Sequence, residues 1–284
     1  MEILYFTYPL SATLIFIMAI GLGAYLTHKF KLSWLLYLIG AATFVFSQIG
    51  HIPFNNLVVP RLGVSDWPLV FQVLFYGLSA GLWEEWFRYA AYRWVAKDAR
   101  TWPKGLLMGA GHGGVEALII GGIILITYLN MVILRSTPDL STLVPADQLA
   151  AVQEGVEAYW STPWYISMLG FVERAFSIPA HLTFSILVLQ AFLRGQVRWV
   201  WFSVALHTLL NAVVLYVNAT WGAVPAEIVL GLLTIFNLYI IFKLRSPEPE
   251  EGIPAPAETV SVSSVPEVRI DETPEDLDRT RYQQ

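Results

Sequence analysis

An all-α bundle of about seven membrane-spanning helices is the fold this sequence predicts, and three observations predict it. Of the 284 residues, 56% are hydrophobic and only 14% charged, and mean hydropathy is +0.55, unlike the evenly charged surface of a soluble domain. The charges collect at the ends of long apolar runs. Seven such runs approach the roughly 20 residues that an α-helix needs to cross about 30 Å of hydrocarbon.

The spans fall at about 5–27, 33–53, 68–93, 104–133, 164–193, 199–218 and 224–243. The first opens on "MEILYF" without a basic segment and is followed by "HKFK". No small-residue cleavage site follows it, so it reads as a retained helix and not a signal peptide. Between the fourth and fifth spans, the loop 134–163 contains "ADQLAAVQEGVEAYW". There Leu149, Val152, Val156 and Tyr159 recur at helical spacing and predict a short amphipathic helix on the outer surface.

Lys and Arg placement sets the expected orientation. Lys29, Lys31, Arg93, Lys97, Arg100, Lys104, Arg194, Arg198, Lys243 and Arg245 follow spans 1, 3, 5 and 7, whereas the opposite loops carry only Arg61 and Arg135. This bias predicts an N-terminus outside and a C-terminus in the cytoplasm. Trp34, Trp94, Trp102, Trp199 and Trp201 then belong to the inner interface, and Trp67, Trp160, Trp164 and Trp221 to the outer. Residues 1–245 form the expected transmembrane domain. Residues 246–284, with ten acidic residues and three arginines among Pro, Ser and Val, cannot bury a core and predict a disordered cytoplasmic tail.

Cysteine is absent, which excludes disulfides, thiolate metal sites and a cysteine nucleophile. The sequence has no internal repeat, phosphate-binding glycine loop or basic nucleic-acid patch. Its expected surroundings are the lipid bilayer, in a bacterial plasma membrane, with no nucleic-acid partner.

Polar residues inside the spans therefore carry the functional question. Span 3 contains "WEEWFRYAAYR" with Glu84, Glu85 and Arg88, span 4 "GHGGVEA" with His112 and Glu116, span 5 "ERAFSIPAH" with His181, and span 6 "HTLLN" with His207 and Asn211. A carboxylate in hydrocarbon costs several kcal/mol or more. At 1.5 Å per residue the glutamates, histidines and Asn211 fall roughly 12–18 Å from the inner boundary, in one slab. Spacing also aligns them. Gly77, Gly81, Glu84, Glu85 and Arg88 share a stripe of span 3; Gly109, His112, Gly113, Glu116 and Ala117 share one of span 4; and Ser203, His207 and Asn211 share one of span 6. Small residues on the same stripe allow close helix approach, so these polar faces are expected to meet protein and not lipid. Pro179 marks a kink beside His181. Glu173 and Arg174, displaced toward the outer half, read as a structural ion pair, and His28 and His51 as ordinary interface residues.

The "EEWFR", "GHGGVEA", "ER" followed by "H", and "HTLLN" segments resemble the YhfC-type intramembrane metalloproteases. That group is related to the CAAX-prenyl-protease and bacteriocin-processing (Abi) proteins and to the PrsW-type glutamic intramembrane proteases. The resemblance covers roughly residues 5–243. It implies that Glu84 activates water, that His207 and Asn211 stabilise the oxyanion, and that His181 takes the place of the middle histidine.

The chemistry of the residues fits a peptidase with either of two centres. Peptide hydrolysis needs a water, a base and donors aimed at the developing oxyanion. In one form a glutamate, kept ionised by Arg88, is the base. In the other, zinc held by His112, His181 and His207, with Glu116 or Glu84 completing or activating the shell, activates the water. The depth of the site predicts a membrane-associated peptide or protein substrate, lipidated or not, arriving from the inner leaflet or laterally. A proton- or ion-coupled transporter and a non-catalytic scaffold are the readings from other classes. An inverted repeat with broken helices would have favoured the first of these; the sequence has neither.

Overall fold

The computed structural model describes residues 2–245, and the predicted acidic tail lies outside the described residues. Among the described residues eight α-helices follow one another: α1 (Leu4–Phe30), α2 (Trp34–Leu62), α3 (Leu69–Ala90), α4 (Trp102–Ser136), α5 (Leu149–Ser161), α6 (Trp164–Leu193), α7 (Arg198–Trp221) and α8 (Ala223–Lys243). Six of them, all except α3 and α5, are long and apolar enough to cross a membrane. With 22 residues α3 is about 33 Å long, but Glu84, Glu85 and Arg88 lower its hydropathy. It packs mainly on α7 and α2, while α4 packs on α1, α2 and α6.

Local sequence explains both ends of α2. Ser33 caps α2, its Oγ accepting from the Leu35 N–H at 3.2 Å, and Gly63 ends α2 at φ +62°, where a side chain would be strained. The second span was expected to stop near residue 53. Instead α2 continues through Pro53 and Pro60 to Leu62, because a proline removes one hydrogen bond without ending a helix whose neighbours supply packing. His51 consequently lies inside α2 and not at its end. Beyond α3 the chain widens into a π-turn over Ala91–Val95. The predicted amphipathic helix is α5, and its docking residue is the buried Trp160, stacked on Tyr5 at 4.4 Å beside Tyr159, stacked on Tyr8 at 4.4 Å.

The small-residue stripes are the contact lines of the bundle. A Cβ on Gly81 would stand 3.0 Å from the Val204 carbonyl of α7, and one on Gly113 would stand 2.9 Å from the His181 side chain of α6. The tightest approaches join α2 to α4, where a Cβ on Gly111 would run into the Tyr37 carbonyl and one on Gly40 into the Met108 carbonyl. Gly40→Val is therefore expected to destabilise the bundle by about 1–3 kcal/mol through overpacking. Thermal unfolding in detergent measures this; a melting temperature equal to the wild type would mean that α2 and α4 do not meet at this point.

Candidate active site

One turn of α3 supplies the centre of the site. Glu84 and Glu85 lie about 100° apart around the helix, and the structure gives them different surroundings. Glu85 is fully buried and saturated: Arg88 Nη1 and His207 Nδ1, the latter at 2.8 Å, donate to its Oε1, and Ser203 Oγ donates to its Oε2 at 2.7 Å. Glu84 lines a cavity. Its Oε1 accepts from Gln48 Nε2 at 3.3 Å, and its Oε2 lies 3.0 Å from His112 Nε2, 3.7 Å from Arg88 Nη2 and 4.0 Å from His207 Nε2.

Proton positions follow from the network. Arg88 can only donate, so its Nη2, 2.8 Å from His181 Nδ1, leaves the His181 proton on Nε2. That nitrogen is 2.7 Å from Glu116 Oε2 without an aligned hydrogen bond. Thr43 Oγ1 donates to the Gly40 carbonyl at 2.6 Å, so at 2.7 Å it accepts from His112 Nδ1–H. Neutral His112 then turns a lone pair toward the Glu84 carboxylate. Two acceptors 3.0 Å apart need a cation between them, either a proton or a metal ion.

Charge counting reaches the same result. With the three histidines neutral, Glu84, Glu85 and Glu116 are offset by Arg88 and Arg174 alone, leaving one negative charge in a largely buried cluster. Glu173, partly exposed and bonded to Arg174, adds a second. The donor set also suits a divalent ion: Glu84, His112 and His181 each bring one ligand atom to within 4.8 Å of the other two. One carboxylate and two imidazoles are the three-ligand set of many catalytic zinc sites, and Thr43 behind His112 is the outer partner that such a ligand requires. The residues fit a metal, with one condition: His181 offers its Nδ1 lone pair only after Arg88 lets go of it, because its Nε2 carries the proton. His207, expected as the third histidine ligand, is outside this group and bonded to Glu85.

The cavity has a volume of about 250 Å³ and is lined by Glu84, His181, His207, Asn211 and Arg174 among others. On α7 its lining runs from His207 to the exposed Leu215, about 12 Å along the helix. It therefore extends toward the end of the bundle that carries Trp164 and Trp221. Depth counting led to the expectation of access from the inner leaflet or laterally between helices; it gives the level of a group but not which direction is open.

All eight residues selected from the sequence are in or beside this site. Two assignments change. Arg174 is not confined to a pair with Glu173: its Nη1 donates to Glu116 Oε1 at 2.7 Å, and both members of that pair line the cavity. His51 is not a lone interface residue but belongs to a chain of side chains reaching Glu84. A signal for the first was present, since Arg174, Ser177 and His181 share one α6 face at i, i+3 and i+7.

A family model described as "YhfC intramembrane metalloprotease" matches residues 14–234. The curated "Uncharacterized membrane protein YhfC" of Bacillus subtilis (strain 168) is 34% identical over 247 residues, which is 83% of this chain and 94% of that protein. No solved structure matches the chain.

Proposed function

Because this chain belongs to the YhfC intramembrane metalloprotease family, we propose that it hydrolyses a peptide bond of a membrane-associated substrate at Glu84. The observation that carries the reading is the pair formed by Glu84 Oε2 and His112 Nε2, 3.0 Å apart in a buried site beside the cavity. Glu84 takes a proton from water, the water oxygen adds to the substrate carbonyl, and the proton passes to the departing amine as the C–N bond breaks. Asn211, on the cavity wall, donates its amide N–H to the oxyanion. His207 donates there only when both its nitrogens are protonated, since its Nδ1 proton is held by Glu85. A zinc ion held by Glu84, His112 and His181 would supply Lewis acidity and an acidified water. Arg88 keeps both glutamates ionised, and without a metal it also holds the His181 ring by Nδ1.

With the orientation read from the basic loops, the cavity faces the outer half of the membrane. Its wall of Leu210, Val214, Leu215 and Leu230 suits an apolar segment entering laterally.

Elemental analysis of purified protein tests the metal. About one zinc per chain is expected, with loss from His112→Ala and His181→Ala and retention in His207→Ala. Chelated, metal-free protein that still cleaves a membrane-peptide reporter would leave the glutamate as the whole catalyst and remove zinc from the mechanism.

A further inference from the structure

A second set of polar side chains, none of them in the cavity lining, approaches Glu84 from α2. On α2, Gln48, His51 and Asn55 follow at i, i+3 and i+7 and so form one stripe, and Ser79 of α3 faces them. Gln48 Nε2 donates to Glu84 Oε1 at 3.3 Å, His51 Nδ1 lies 3.3 Å from Gln48 Oε1, and His51 Nε2 lies 2.9 Å from Asn55 Nδ2 and 3.0 Å from Ser79 Oγ. The first two contacts fix the tautomer of His51. Gln48 spends its amide N–H on Glu84, so its carbonyl must accept, and His51 carries its proton on Nδ1. The bare Nε2 accepts from Asn55 Nδ2, and Ser79 Oγ divides its single proton between that nitrogen and the Tyr76 carbonyl, 3.1 Å away.

We infer that His51 and Gln48 are positioning residues that hold Glu84 by Oε1, so that Oε2 alone is turned toward His112 and the reacting water. A carboxylate on a helix face can rotate about its terminal torsion, which is soft. With Oε1 tied to α2, that rotation is lost. His51 acts only through Gln48, because it does not touch Glu84 itself. The role rests on the proposed peptidase reading, but the geometry can be tested without it.

The test uses full-length protein in lipid nanodiscs, labelled at glutamate carboxyl carbons and histidine nitrogens, with Glu84→Gln and His51→Phe assigning the resonances by solid-state NMR. The His51 spectrum is expected to show the Nδ1–H tautomer. His51→Phe should move the Glu84 carboxyl resonance although the two side chains are not in contact. His51→Asn, whose amide N–H can replace the Nδ1–H, should restore that resonance, and Gln48→Leu should reproduce the shift seen in His51→Phe. An unmoved Glu84 resonance in His51→Phe, or equal shifts in the Phe and Asn variants, would overturn the inference.

On a cleavable membrane-peptide reporter, His51→Phe is expected to lower kcat about tenfold with KM unchanged, and His51→Asn to recover it. Equal activities of the Phe variant and the wild type would also overturn the positioning role. If the wild type cleaves no reporter, the peptidase reading fails, and the resonances still decide whether His51 orients Glu84.

Discussion

Glu84→Gln is expected to lower peptide hydrolysis by about 10²–10⁴-fold, the range for loss of a general base, while the protein remains folded and inserted. The amide keeps the shape of the carboxylate: its carbonyl can still accept from Gln48, and its N–H can donate to the bare His112 Nε2. It also removes one charge from a cluster that holds three carboxylates and two guanidiniums, so folding gains nothing from the original acid. What is lost is the proton acceptor facing the cavity. The neighbouring Glu85 cannot replace it, because both of its oxygens are occupied and it is absent from the cavity wall. Hydrolysis of a reporter, read together with a melting curve, separates the effects. Activity within a few fold of wild type would end the role of Glu84 as base.

Arg88→Met is expected to cost about 3–5 kcal/mol of stability, because breaking a buried ion pair strands its partners. Arg88 is 1% exposed; it bonds Glu85 and His181 and lies 3.7 Å from Glu84. Removing it leaves two carboxylates without a cation and one imidazole without its donor. That is a large part of the roughly 5–15 kcal/mol that usually separates folded from unfolded states. Arg88→Lys should rescue only partly, since one ammonium cannot reproduce the fork that reaches Glu85 and His181 together. Glu173→Gln provides the contrast. The sequence reading made Glu173 a stability residue, but its side chain is 39% exposed, and the change should cost about 1 kcal/mol or less. Unfolding in mixed detergent micelles ranks the three variants, and an Arg88→Met protein as stable as Glu173→Gln would refute the ion-pair account.

The sequence by itself determined that the chain is a helical membrane protein and which of its helix faces are polar. Both follow from local quantities: the length of apolar runs, and the period that places Gly77, Gly81, Glu84 and Arg88 on one stripe. The bulk of the site was legible for the same reason, since an ionisable group is too costly in hydrocarbon to stand there without a partner.

Tertiary structure decided who the partners are. Adjacent glutamates look alike in sequence, yet α7 encloses Glu85 with Ser203 and His207, while the cavity is left to Glu84. Likewise, one histidine of three is diverted to Glu85. Arg174 enters the site because an arginine side chain reaches farther than a depth count allows. His51 joins it because α2 packs on α3, where Gln48 meets Glu84. These are contacts between helices far apart in sequence, and they depend on rotation and close approach, which residue spacing within one helix does not contain.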